Sequence, residues 1–196
     1  MKTQIKNSLS SITTALFLVA IIFFGSCSDR KVSAQKGSSS QSTSKAPAID
    51  IHAAVVSGNV EAIKQHLAAG TNINEKDPFG GSSPLISASL FGKTEIAKIL
   101  IDAGAKINVQ NNDGSTALHT AAFFCRPEIV AMLLKKDASR TTKNNFGSTA
   151  YESVAGSFAD VKQVYDMMGT MLSPMGLKLD YAYIKKTRPE IAAMLK

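Results

Sequence analysis

Residues 115–138, "STALHTAAFFCRPEIVAMLLKKDA", decide how the rest of the chain is read. Apolar and small residues cluster over 117–124, and from Ile129 the apolar positions recur at helical spacing. The stretch therefore reads as a short helix, a turn and a longer helix. It also recurs. "DIHAAVVSGNVEAIKQHLAAGTNIN" starts at Asp50, "PLISASLFGKTEIAKILIDAGAKIN" at Pro84, "ALHTAAFFCRPEIVAMLLKKDASRT" at Ala117 and "AYESVAGSFADVKQVYDMMG" at Ala150. The offsets are 34, 33 and 33 residues, and the extra residue of the first step falls at Gly80-Gly81. A fixed period of this size marks an array of stacked supersecondary units. The fourth copy lacks one residue between its helices, which sets Val161 where Ile129 stands in the third.

The residue types suit such units. Ile63, Leu67, Ile96, Ile99, Leu100, Ile129, Leu133 and Leu134 recur at i, i+3 and i+4 and are expected to form the buried seam. Ala53, Ala54, Ala88, Ala121 and Ala122 keep the first helices thin, so that neighbours approach closely. Gly70, Gly104, Gly80, Gly114 and Gly147 fall at helix ends or turns, where positive φ is needed. Thr116 and Thr149 are placed to cap first helices. His119 reads as a hydrogen-bonded structural histidine, and His52, its equivalent in the first copy, reads the same way. Cys125 takes the place of Gly58 and Gly92. It is either a small residue filling a helix-end pocket or, if exposed, a lone redox-active thiol.

The chain resembles the ankyrin-repeat family over roughly residues 48–169. The first signature is present as "SPLI" (83–86), "TALH" (116–119) and "TAYE" (149–152). The second is present as "ILIDAGAKIN" (99–108) and "HLAAGTNIN" (66–74). The resemblance implies an all-α solenoid of helix-turn-helix units with short hairpin-like loops, in repeats near 48–80, 81–113, 114–146 and 147–169. "TMLSPMGLKLD" (170–180) reads as an irregular interruption. "RPEIAAML" (188–195) nearly copies "RPEIVAML" (126–133), so residues 179–196 read as the two helices of a terminal partial repeat. The alternative is an ordinary C-terminal helix packed on the last repeat.

In this family partners are met by loop tips and by outer positions of the first helices. Carried over, the helix positions are Val56, Leu90, Phe91, Phe123 and Phe124. The tips are Lys76, Asp77 and Phe79, then Asn111, Asn112 and Asp113, then Asn144, Asn145 and Phe146. Consecutive pairs such as Leu90-Phe91 and Phe123-Phe124 cannot both point at one seam. At least one member of each is expected to face a groove, making an apolar strip rimmed by asparagines; the alternative tucks both phenylalanines between repeats.

Upstream of the repeats, Lys2 and Lys6 precede an apolar core from about Ala15 to Phe24 and the small residues Gly25 and Ser26, the pattern of a secretory signal peptide over 1–26. The apolar run is shorter than the roughly 18 residues needed to span a bilayer. "FGSC" (24–27) resembles a bacterial lipobox. That resemblance implies diacylglycerol transfer to the Cys27 thiol, cleavage before it and acylation of the new amino terminus. Ser28, not aspartate, by the same resemblance favours the outer membrane; free secretion is the alternative. Residues 27–47 are dominated by Ser, Gln, Lys and Gly and read as a disordered tether, spanning about 25 Å as a flexible coil.

Little in the sequence is catalytic. The three histidines lie in different repeats and make no zinc pattern. Phosphate-binding glycine loops and nucleophile elbows are missing. The charge of +7 from 22 basic and 15 acidic residues is scattered, and removing Lys2 and Lys6 leaves +5 with no basic groove bearing stacking aromatics. No metal, cofactor or nucleic-acid partner is expected. The sequence reads as a non-catalytic protein-binding lipoprotein of the bacterial envelope facing the periplasm, an adaptor or a protective or inhibitory partner of envelope proteins. An immunity protein against a secreted effector, or a structural accessory of an envelope complex, is the alternative.

Overall fold

Short polar side chains set where each first helix begins. Asp50 accepts from the His52 and Ala53 amides, Ser83 from the Ile86 amide and Thr116 from the His119 amide. Each satisfies a donor that the first turn leaves without a helical partner. In the computed structural model, which describes residues 45–196, these caps open α1 (Ile51–Ser57), α3 (Pro84–Phe91) and α5 (Ala117–Phe123). Each leads through a tight turn to a second helix: α2 (Val60–Ala68), α4 (Thr94–Asp102) and α6 (Pro127–Lys135). The turns hinge on left-handed residues, Gly58 at φ 76°, Gly92 at φ 64° and Cys125 at φ 53°. Among the described residues there is no strand, and no helix is long and apolar enough to cross a membrane. The signal segment 1–26, Cys27 and the tether up to residue 44 lie outside the described residues.

The helices stack in two layers. α3 lies between α1 and α5, and α4 lies between α2 and α6. The seam between layers is apolar: Ile63, Leu100, Ile129 and Leu133 are fully enclosed and Ile96 nearly so. Leu67, Ile99 and Leu134 pack against that core but stay half-buried. Leu85, Ile86 and Leu118 of the first helices complete it. Each such side chain contributes about 1.5–3 kcal/mol when buried, and no single repeat could enclose it alone.

The fourth unit departs from the sequence reading. Thr149 and Glu152 cap one another reciprocally and start α7 (Glu152–Ala155). The next residue, Gly156, is extended at φ −74° and ψ 172° instead of turning left-handed. The chain therefore leaves the stack. It makes α8 (Phe158–Leu172), a 3-10 turn (Ser173–Met175) and then α9 (Tyr181–Leu195). Residues 179–196 thus hold one continuous helix, Tyr181–Leu195, not two, and it runs through Pro189. The stretch 170–180 is partly helical, since α8 continues to Leu172 and the 3-10 turn follows it directly.

α9 packs against α5, α6 and α7. Its C-terminal half does there what α2, α4 and α6 do in their own units. Ile191 is fully enclosed, like Ile63 and Ile129, and Leu195 is buried, like Leu133. Val161, expected at that place, is only half-buried on α8. Residues 156–187 are accordingly an insertion between the two helices of the fourth repeat, and "RPEIAAML" is that repeat's own second helix. The physical reason is the extended Gly156, which opens the turn and breaks the period.

The insertion is pinned by one tyrosine. Tyr165 of α8 is fully enclosed, stacks on Phe123 with ring centroids 4.5 Å apart and donates its hydroxyl hydrogen to the Phe123 carbonyl. Burial pushes its pKa up to about 12, so it stays a neutral donor. Replacing Ile191 with Ala is expected to cost about 3 kcal/mol in urea unfolding, as Ile129→Ala should. Val161→Ala should cost under about 1 kcal/mol. The reverse order would restore the 33-residue register through α8.

Candidate protein-binding surface

Three loops of the same build connect the repeats on the edge away from the helix turns. In each, one side chain folds the loop on itself. Asp77 Oδ1 accepts from the Phe79 and Gly80 amides, and its Oδ2 from Ser82. Asn111 accepts from the Asp113 and Ser115 amides, and Asn144 from those of Phe146 and Ser148. The backbone bonds to Asp77 hold its carboxyl below the usual carboxylate range, although its partial burial opposes this more than any one bond.

A second set ties one loop to the next. Asn112 N–H donates to the Gly80 carbonyl and Asn145 N–H to that of Asp113, both at 2.9 Å. The side-chain amides follow, Asn112 to Phe79 O at 3.4 Å and Asn145 to Asn112 O at 2.9 Å. Lys76 Nζ donates to Gln110 O at 2.6 Å. The approach is close enough that a Cβ on Gly81 would lie 2.2 Å from Asn112 Oδ1, and one on Gly114 would lie 2.5 Å from Asn145 Oδ1. Gly81 and Gly114 are therefore required by contact as well as by their positive φ.

This ladder alters what the tip residues are for. Asp77, Asn111, Asn112, Asn144, Asn145 and Lys76 use polar groups to hold the loops in register. What the loops present outward is Phe79, 85% exposed, and Phe146, 52% exposed. These two occupy the same loop position two repeats apart, with the exposed Asp113 at that position between them.

The helix positions divide. Val56, Leu90 and Phe91 are half-buried on α1 and α3. Phe123 is half-buried but covered on one face by Tyr165. Phe124 is 3% exposed and meets Phe123 edge-on at 5.3 Å, so it belongs to the interior and not to a groove. Its inward turn follows from its place at the end of α5, where Cys125 swings the chain left-handed.

The most reactive residue types are structural. His119 closes a capping box with Thr116, and its Nε2 lies 3.1 Å from the Ser148 carbonyl of the next loop. Burial lowers its pKa, with the Ser148 bond opposing. His52 departs from the expected likeness, because neither of its buried ring nitrogens has a hydrogen-bond partner. Cys125 is fully buried, its thiol donating to the Ile184 carbonyl at 3.7 Å, and desolvation pushes its pKa to about 11. No group of three His, Cys, Asp or Glu that could hold a metal occurs among the described residues.

Sequence reasoning missed Tyr165 and Arg188. Arg126 NH2 reaches back to the Leu90 carbonyl at 3.3 Å. Arg188, its counterpart, reaches the Phe123 carbonyl through the Tyr165 hydroxyl, to which its NH1 donates at 3.0 Å. The repeated Arg-Pro-Glu-Ile carried that signal.

A two-layer stack of helix pairs with inter-repeat hairpin loops is the ankyrin-repeat fold. The family model described as "Ankyrin repeats (3 copies)" matches residues 51–145, which are accordingly ankyrin repeats. Protein phosphatase 1 regulatory subunit 27 of Homo sapiens is 39% identical over 64 residues, 33% of this chain and 41% of that protein. DNA-binding protein RFXANK of Homo sapiens is 37% identical over 57 residues, 29% of this chain and 22% of that protein. The chain thus spans less than half the length of these relatives. The crystal structure of the ankyrin repeat domain of Bcl-3, an IkappaB-family protein, superposes with a TM-score of 0.51 at 30% identity, covering 53% of this chain and 45% of that one.

Two titrations check the placements. In the Cys27→Ser chain, Cys125 is expected to resist a thiol reagent at pH 8 until denaturant is added; rapid native labelling would contradict its burial. Folded His119 binds its proton less tightly than unfolded histidine at about 6.5. Below that pH the unfolded chain takes up more protons, so stability is full above it and falls on acidification towards the lower folded pKa. His119→Gln should flatten that slope in urea titrations between pH 7 and 5.

Proposed function

We propose that this protein is a non-catalytic protein-binding module, held to the bacterial cell envelope by acylated Cys27 and facing the periplasm, where it captures an envelope protein as an adaptor or inhibitory partner. The carrying observation is the pair Phe79 and Phe146, large apolar side chains 85% and 52% exposed on loops that hydrogen bonds hold rigid. Exposed aromatics on a preorganised scaffold lose little entropy on binding and suit hot-spot recognition. Half-buried Leu90 and Phe91 continue the apolar surface on α3. The likeness to a phosphatase regulatory subunit supports a binding role without catalysis. One relative's name includes DNA binding. The +7 charge here is scattered, which favours a protein over nucleic acid as partner.

The anchor reading rests on residues 1–27: the basic start, the short apolar core and "FGSC". Several acyl chains together hold far more firmly than one, and the tether would carry the repeats about 25 Å from the headgroups. The outer membrane is the favoured site because Ser28 follows the cysteine.

In cells expressing the full chain, Phe79→Asp with Phe146→Asp is expected to lower partner crosslinking about tenfold or more. Its Tm should stay within about 2 °C, since neither ring is buried. Unchanged crosslinking would reject the loop-tip assignment. Cys27→Ser should move the protein from the membrane to the soluble fraction, and unchanged membrane retention would reject the anchor.

A further inference from the structure

The insertion borders a half-open cavity against the fourth repeat. It measures about 580 Å³ and lies between α7, the start of α8 and the C-terminal half of α9. Val154, Phe158 and Ala192 give it an apolar wall, and Arg188, Lys185 and Lys196 give it three cationic side chains. No Asp or Glu side chain lines it. The acids on the same elements are not among its lining: Glu152 is held by Thr149, Asp166 pairs with Lys162, and Asp160 and Glu190 are exposed.

Arg188 is the unusual member. It is 3% exposed, yet its partners are all neutral: the Tyr165 hydroxyl and the Ser153 and Gly156 carbonyls. Its Nε has no partner at all. Neither ion pair among the described residues, Lys98–Asp102 and Lys162–Asp166, involves it. A buried guanidinium without a counter-charge is costly, and an anion brought nearby would offset part of that cost. The positive end of α8, a helix of 15 residues capped by Ser157, opens on the same space.

We infer that this cavity binds a small organic anion, a carboxylate or phosphate monoester joined to an apolar body. The head group sits at the α8 N-terminus beside Arg188, whose guanidinium acts mainly through its field because its Nε is already enclosed, while Lys185 and Lys196, about 16 Å apart along α9, add positive charge at either end of the cavity. The apolar body lies along Val154, Phe158 and Ala192. The volume falls within the range of ordinary small-molecule sites.

The test uses the Cys27→Ser chain in two-dimensional amide NMR titrations with octanoate, octyl phosphate and octanol. Octanoate or octyl phosphate is expected to shift the Ser157, Phe158 and Ala192 amides saturably, and the stronger of the two identifies the head group. Octanol at equal concentration should bind at least tenfold more weakly. Lys185→Ala with Lys196→Ala should weaken anion binding about fivefold or more with Tm unchanged, since both side chains are exposed. Equal binding of octanol, no saturable shift, or full affinity in the double lysine variant would overturn the inference. Arg188 itself is left intact, because it also braces Ser153 and Gly156. None of these outcomes bears on the loop tips or on protein capture.

Discussion

A stacked array holds only while every unit has a neighbour covering its apolar face, and in this chain the last neighbour is supplied from a distance. α9 brings Ile191 and Leu195 onto α6 and α7, closing the seam that Ile129 and Leu133 would otherwise leave open. Arg188 fixes the depth of that docking. It reaches Ser153 and Gly156 on one side and, through Tyr165, the Phe123 carbonyl on the other. Segments of α5, α7, α8 and α9 thus meet around one guanidinium.

The two ends of the helix pairs have different chemistry. At the loop edge, hydrogen bonds from backbone and asparagine side chains set the spacing between repeats, leaving the phenylalanines outward. At the turn edge, spacing is set by packing, by a left-handed residue and by long basic side chains laid over the preceding turn. Arg126 lies over Gly92 so closely that a Cβ there would come within 2.9 Å of its Nε. Spacing is thus held at both edges, by hydrogen bonds at one and by packing at the other.

The sequence made the first three repeats legible because every device in them is local. Caps, left-handed turns and i, i+4 seams all act within a few residues, so a fixed period survives. The fourth repeat was legible only in pieces. "RPEIAAML" was visibly a second helix, but linear spacing assigned it to a fifth unit, since α8 offered a nearer amphipathic candidate. Only the three-dimensional burial of Ile191 against the half-burial of Val161 decides between them. The loop-tip positions followed from the fold, whereas the roles of Asn112 and Asn145 did not. Whether an asparagine faces solvent or the next loop depends on inter-repeat distance, which no single repeat encodes. Phe124 was misplaced for a similar reason: helical periodicity ends at Phe123, and the turn directs its neighbour inward.

The interrupted fourth repeat bears on the order in which the chain assembles. In the first three repeats each second helix follows its first after a turn of a few residues, so pairing is local and fast. In the fourth, about thirty residues separate the partners, and closing so long a loop costs roughly 2.5 kcal/mol more than closing a two-residue one if the segment is flexible. Side-chain contacts between α8 and α9, such as Phe158 against Tyr181 and Arg188 on Tyr165, reduce that cost. Assembly can therefore run as a zipper through three repeats and end with a clasp, since the docking of α9 is the least local pairing in the described residues.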